Sequence, residues 1–267
     1  MSRFPSVLML LPPSEGKTAA RRGRALDVGA LSFPGLAGAR EQVVEALVAL
    51  CAGDPEKAAA TLGVPPSRPD LVELNARLRT APTARADKVY SGVLYDALDV
   101  PTLSAGAKRR AGSRLVVTSS LFGLVGPADR IPAYRLSGDA ALPGLGSVAG
   151  HWREHLGSAV TGALGDGRLL VDLRSGTYVA FWRPPASLAR RVATVRVLHE
   201  VDGRRQVVSH FNKATKGRIV RSLLESGANP RTPARLAADL RDLGWTVELG
   251  DPTAKGTQLD VVVAALG

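Results

Sequence analysis

The chain has 267 residues, 45% of them hydrophobic, which is enough to bury a sizeable core and too much for a disordered chain. Its 35 Lys and Arg stand against 24 Asp and Glu, a formal charge of +11, and 28 of the cations are arginine. No apolar run approaches the roughly 18 residues needed to span a bilayer, and the single cysteine, Cys51, excludes an internal disulfide framework and a cysteine-built zinc site.

Ser6–Leu11 reads as a buried strand that ends at Pro12-Pro13, with an apolar run too brief for a secretory leader. Ser14 to Arg40 is rich in Gly and Arg and reads as a long loop with little core. In Glu41–Cys51, residues Val43, Val44, Leu47, Val48 and Cys51 share one helical face, which makes Cys51 a core residue. Pro55–Leu62 and Asp70–Leu78 read as short helices on either side of Gly63-Val64-Pro65-Pro66, and Pro82 to Asp87 breaks the pattern. Arg114–Thr118 is a strand leading into Ser119-Ser120, Ala149–Leu164 a helix and Arg168–Leu173 a second buried strand. Ala193–Val201 and Gln206–Phe211 flank Asp202-Gly203, a strong hairpin signal. Gly217–Ser226 and Thr232–Leu243 are helices, and strands Thr246–Leu249 and Gln258–Ala264 close the chain. No repeat or compositional break marks a linker, so residues 1–267 are expected to form one cytoplasmic mixed α/β domain.

Several motifs invite chemistry. Glu15-Gly16-Lys17-Thr18 follows a strand, yet Leu11 stands where a phosphate-binding loop needs its first glycine, and two prolines remove backbone donors. Ser14 and Lys17 still sit at a strand's carboxyl end, where α/β sheets place ligand groups. His151-Trp152-Arg153-Glu154-His155 has the spacing of inverted zinc proteases. It offers no identifiable third ligand, and a plain helix burying Trp152 competes with it; no metal and no cofactor are expected. Ser119, Ser120 and Tyr134 form no nucleophile elbow, because no G-x-S-x-G occurs. Asp96, Asp99, Asp129 and Asp172 read equally as helix caps or as bases.

The segment Phe211 to Arg221 carries four cations. Ile219, Val220, Leu223 and Leu224 make an apolar arc, with Arg218 and Arg221 on the opposite side. Lys216 would fall inside that arc, so the helix is expected to start near Gly217 and to leave Lys213 and Lys216 on the preceding turn. Cations beside helix-start amides make an anion-binding corner; a solvated charged face is the competing reading.

Six stretches together resemble the YaaA family, often called peroxide stress proteins. Leu10-Leu11-Pro12-Pro13-Ser14-Glu15-Gly16-Lys17-Thr18 resembles its S-P-A-K-T signature, and Tyr90-Ser91-Gly92-Val93-Leu94-Tyr95 its F-K-G-D-V-Y block. Ser119 to Leu136 resembles the long central block ending in P-Y-R-L. Trp152 and Leu173–Tyr178 fit shorter blocks, and Lys213, Lys216, Gly217 and Arg221 fit the K-K-A-R-G-L-M-S-R segment. Val93 replaces the acidic residue of its block, Gly126 replaces an arginine, and Ala133 stands at the motif proline. The resemblance implies a single mixed α/β domain with a basic cleft and a helix-hairpin-helix element, placed in either Glu56–Leu78 or Gly217–Leu243. It also implies double-stranded DNA binding and peroxide resistance through lower free iron and less DNA damage.

Two functional expectations follow. In the first, a cytoplasmic, monomeric, membrane-free protein binds DNA phosphates through Lys17, Arg135, Lys213, Lys216, Arg218 and Arg221. In the second, an enzyme holds a small phosphate- or carboxylate-bearing substrate in a pocket built by Ser14, Lys17, Ser119, Tyr134, Arg135, Lys213 and Lys216. Dispersed surface cations favour the first, and cations gathered in one cavity favour the second.

Overall fold

The computed structural model describes residues 6–201, 204–207 and 209–264. In chain order, β1 (Val7–Leu11) is followed by helices α1 (Ala37–Ala52), α2 (Pro55–Leu62) and α3 (Asp70–Ala76). Next come β2 (Ala84–Arg85), α4 (Ala86–Val89), α5 (Val93–Leu98), α6 (Ala105–Arg114), β3 (Leu115–Ser119), β4 (Gly123–Val125) and β5 (Arg130–Ile131). Then follow β6 (Ala141–Leu142), β7 (Gly146–Ser147), α7 (Val148–Leu164), β8 (Leu169–Asp172) and α8 (Gly176–Val179). The remainder comprises β9 (Val192–Val201), β10 (Arg204–Gln206), α9 (Ser209–Ser226), α10 (Pro233–Asp242), β11 (Thr246–Thr253) and β12 (Gly256–Ala264).

One mixed sheet runs in the order β11-β12-β9-β8-β1-β3-β4, with β10 added to β9. Its central pairings are parallel, and its two outer pairings, β11 with β12 and β3 with β4, are antiparallel. All of β1 is buried, as expected of a parallel strand paired on both edges and covered on both faces. From β1 the chain next joins the sheet at β3 on one side, whereas from β8 it moves to β9 on the other. That reversal leaves a crevice at the carboxyl ends of β1 and β8, where open α/β sheets hold ligands. Helix α1 buries Val43, Val44 and Leu47, and α7 buries Val148, Trp152, Leu156 and Val160, a four-residue repeat on one face. Gly123 has φ +69° and lies so close to Trp152 that a Cβ would come within 2.6 Å of the indole, so the tight turn there admits only glycine. Among the described residues no helix is long and apolar enough to cross a membrane.

The architecture is the mixed α/β one expected, with three local corrections. Ser14 to Ala30 has little core, as expected, but the end of the segment does not stay a loop: after short 3-10 turns at Val28–Ala30 and Pro34–Leu36, α1 already begins at Ala37, and Leu31, Leu36, Ala39 and Arg40 are buried. The Arg40 side chain explains how a cation enters the core. Its Nε donates to Phe122 O at 3.0 Å and its Nη2 to Leu124 O at 2.7 Å and Ser32 O at 2.6 Å, which offsets part of the desolvation cost. Gln206–Phe211 is not a strand, because β10 ends at Gln206 and α9 starts at Ser209. The Asp202-Gly203 turn lies outside the described residues, although β9 and β10 pair antiparallel on either side of it. Finally, α9 runs through Lys213 and Lys216 instead of starting near Gly217.

Candidate functional site

A cleft of about 770 Å³ occupies the crevice at the sheet's reversal. Four chain segments build most of it: the Pro12–Gly16 turn after β1, Ser91–Tyr95 leading into α5, the Leu173–Tyr178 segment after β8, and the face of α9 that carries Asn212, Lys213 and Lys216. Arg135 closes one wall and Arg196 of β9 another. Among the described lining residues Glu15 is the only carboxylate, against five cations.

Two of those cations are already neutralised. Arg174 forms a buried bidentate pair with Asp172, Nε to Oδ1 at 2.9 Å and Nη2 to Oδ2 at 2.7 Å, and donates further to the Tyr178 and Trp182 carbonyls. Arg196 makes an equally direct pair with Asp260 across β9 and β12. Arg135, Lys213 and Lys216 are the cations left for a ligand. Arg135 meets Glu15 at 3.4 Å, a long contact to an exposed carboxylate, and its Nε is buried without a partner among the described residues. Lys216 is held inward by the carbonyls of Leu173 at 2.9 Å and Arg174 at 3.4 Å. Burial lowers its pKa to about 8, a shift that Asp172 partly opposes. Lys213 is exposed and lines the cleft next to it on α9.

Lys17 stands just behind this wall. Its Nζ donates to Ser14 O at 2.7 Å and lies 4.0 Å from the centre of the Tyr134 ring. Burial and then repulsion from Arg135 lower its pKa to about 7, with Glu15 acting in the opposite sense. Below it runs a buried hydroxyl chain, Ser119 Oγ to Tyr134 Oη at 2.8 Å and Tyr134 Oη to Tyr90 Oη at 3.1 Å. Burial raises the Tyr90 and Tyr134 pKa values, so both phenols stay neutral. Ser14 is engaged in the turn: Ser91 N donates to its Oγ at 3.1 Å, and that hydroxyl donates to Gly16 O.

The structure therefore gathers Ser14, Arg135, Lys213 and Lys216 in one cleft, with Lys17, Tyr134 and Ser119 layered beneath it. Arg218 and Arg221 are not part of it. Arg218 is exposed on α9, whereas Arg221 turns inward and donates to Leu98 O and Asp99 O, both at 3.0 Å, at the end of α5. The expectation that both arginines face outward on the polar side fails for Arg221, because the exposed carbonyls of α5 take its guanidinium. His151 and His155 lie with ring centres 4.7 Å apart and ring planes tilted by 57°, and His151 Nε2 meets Ala39 O at 3.0 Å. Among the described residues no group of three or more His, Cys, Asp or Glu is arranged to hold a metal.

Sequence reading passed over Asn212, Glu15, Arg174 and Arg196. Asn212 falls in the Phe211 to Arg221 segment, where only the cations carry a sequence signal, and starting the helix near Gly217 leaves it on a turn rather than on α9. Arg174 lies within the Leu173–Tyr178 block, so its signal was present without a role attached.

The family model for peroxide stress protein YaaA matches residues 7–248. A UPF0246 protein of Streptomyces coelicolor is 53% identical over 259 residues, 96% of this chain and 98% of its own length. Similar proteins from Corynebacterium efficiens and Corynebacterium glutamicum are 42% identical over 247 residues and 39% over 257, covering 92% and 96% of this chain and 96% and 100% of their own. With a match that runs from the first strand to β11 and relatives that align along nearly their whole length, this chain belongs to the YaaA peroxide stress protein family.

Proposed function

We propose that this chain works in the cytoplasm, as a monomer, by binding a small phosphate- or carboxylate-bearing molecule in the cleft at the carboxyl ends of β1 and β8. One observation carries the reading: Arg135 and, far along the chain, Lys213 and Lys216 line a single cleft in which Glu15 is the lone carboxylate among the described residues. Its position at the carboxyl ends of parallel strands adds the support of sheet topology. Arg135 is the group for bidentate recognition of the anion, and Lys216 and Lys213 supply point charges. If chemistry follows binding, Lys17 and Lys216 are the acid–base candidates, since amines of pKa about 7 and about 8 exchange protons near neutrality. Titration calorimetry with inorganic phosphate tests the binding. The parent should bind, and Arg135→Ala should weaken binding at least about tenfold, the scale of a lost charged hydrogen bond. An unchanged affinity in Arg135→Ala overturns the reading.

A second reading, DNA binding in the peroxide response with less iron-driven damage, is supported by the charge outside the cleft. Arg21, Arg22, Arg24, Lys108, Arg109 and Arg218 are all exposed, in a chain of net charge +11. Both helix pairs considered for a helix-hairpin-helix element, α2 with α3 and α9 with α10, exist as consecutive helices.

A further inference from the structure

Beyond its charges, the cleft has a second kind of polar group. Asn212 lines it from the first turns of α9, and its Oδ1 is buried with no hydrogen-bond partner among the described residues. A buried amide oxygen left unpaired is costly, and such atoms normally have a partner in the folded protein or its ligand. The Arg135 Nε is the matching orphan of opposite sense, a buried donor with nothing to give to. The cleft thus presents an unfilled donor on its cationic wall and an unfilled acceptor on α9. The same cleft is also lined by the apolar side chains of Val93, Leu94, Val195 and Val207, the last 57% exposed although it is a large aliphatic residue. Space of about 770 Å³ accommodates far more than a bare anion.

We infer that the ligand is a nucleoside phosphate: an anion held by Arg135, Lys213 and Lys216, a flat body lying on the apolar wall, and an N–H donor satisfying Asn212. This rests on the cleft-binding reading and deepens it. Inorganic phosphate or a small carboxylate would fill the cationic side only and leave the Asn212 oxygen and the apolar wall without partners. The same chemistry has two sources, a free mononucleotide and a nucleotide within a strand.

The test compares three probes on the full-length chain by calorimetry: adenosine 5′-monophosphate, inorganic phosphate and adenosine. The nucleotide is expected to bind at least about tenfold more tightly than phosphate, the scale of one added hydrogen bond plus apolar contact. Asn212→Ala should shrink that gap, while a thermal melt of the variant checks that it is folded. Asn212→Leu, which keeps the bulk and removes the acceptor, should do the same. Equal affinities for nucleotide and phosphate in the parent overturn the nucleotide inference and leave the anion cleft standing. Binding of none of the three overturns both. Competition by an oligonucleotide against the bound mononucleotide supports a strand as the source, and absence of competition supports the free nucleotide.

Discussion

Lys17 and Lys216 show how burial turns ordinary amines into groups that titrate near neutrality. Each has a folded pKa below the lysine value of 10.5, about 7 and about 8 respectively, so each is harder to protonate in the fold than in the unfolded chain. Below pH 7 both states carry the charge, and the fold bears the whole desolvation cost. As pH rises from about 7 toward 10.5 the folded amine is neutral while the unfolded one still binds a proton, so stability increases through that window. Lys17→Met should therefore raise the melting temperature more at pH 6 than at pH 10; the opposite trend in thermal melts would refute the assignment. Anion affinity should move the other way. It should fall as pH rises from 6 to 9, because the cleft loses the Lys216 charge, and Lys216→Met should flatten that profile. A helical wheel puts Lys216 on a turn, because a cation has no partner in the apolar arc of a helix. What a helical wheel lacks is the pair of carbonyls, Leu173 and Arg174, that α9 meets across the cleft.

Among the helices, α5 and α9 make the closest approach that bears on the cleft. A Cβ on Gly217 would lie 2.2 Å from Leu94 O and 3.0 Å from both Ala97 Cβ and Leu98 N. In an exposed helix, Gly→Ala would gain about 1 kcal/mol. Here Gly217→Ala should instead cost about 1–3 kcal/mol through overpacking and should weaken ligand binding by moving Lys213 and Lys216; denaturant unfolding reads the sign directly. Arg221 secures the same contact from the far side, so Arg221→Ala should cost about 1–2 kcal/mol, whereas Arg218→Ala should melt like the parent. The long elements were legible from periodicity alone: β1, α2, α7, β8 and β12 lie within a residue or two of their expected bounds. The helices α5 and α6 were not, since α5 has six residues and α6 buries only Ala107, Ala111 and Arg114 along its ten. Neither offers a stripe long enough to register, and packing against α9 decides their state.

For the whole molecule, charge and connectivity make separate predictions. If the exposed cations bind duplex DNA, the logarithm of affinity should fall linearly with the logarithm of salt, at about −0.9 per phosphate contact. Arg218→Ala should reduce that slope by about one, as fluorescence anisotropy at several salt concentrations would show. Binding indifferent to salt would refute the DNA reading. A single-domain chain should also release no two stable halves on limited proteolysis, because the sheet joins β1 to β12 through β8 and β9. The central strand has a further consequence during synthesis. β1 leaves the ribosome well before its two partners, which begin at Leu115 and Leu169. One edge of its Val-Leu-Met-Leu-Leu segment thus waits for β3 and the other, longer still, for β8, a time in which an apolar strand is exposed to aggregation and chaperone capture. Folding of the core must wait for β8, so a truncated nascent chain ending before Leu169 should behave as a chaperone client rather than as a partly folded protein.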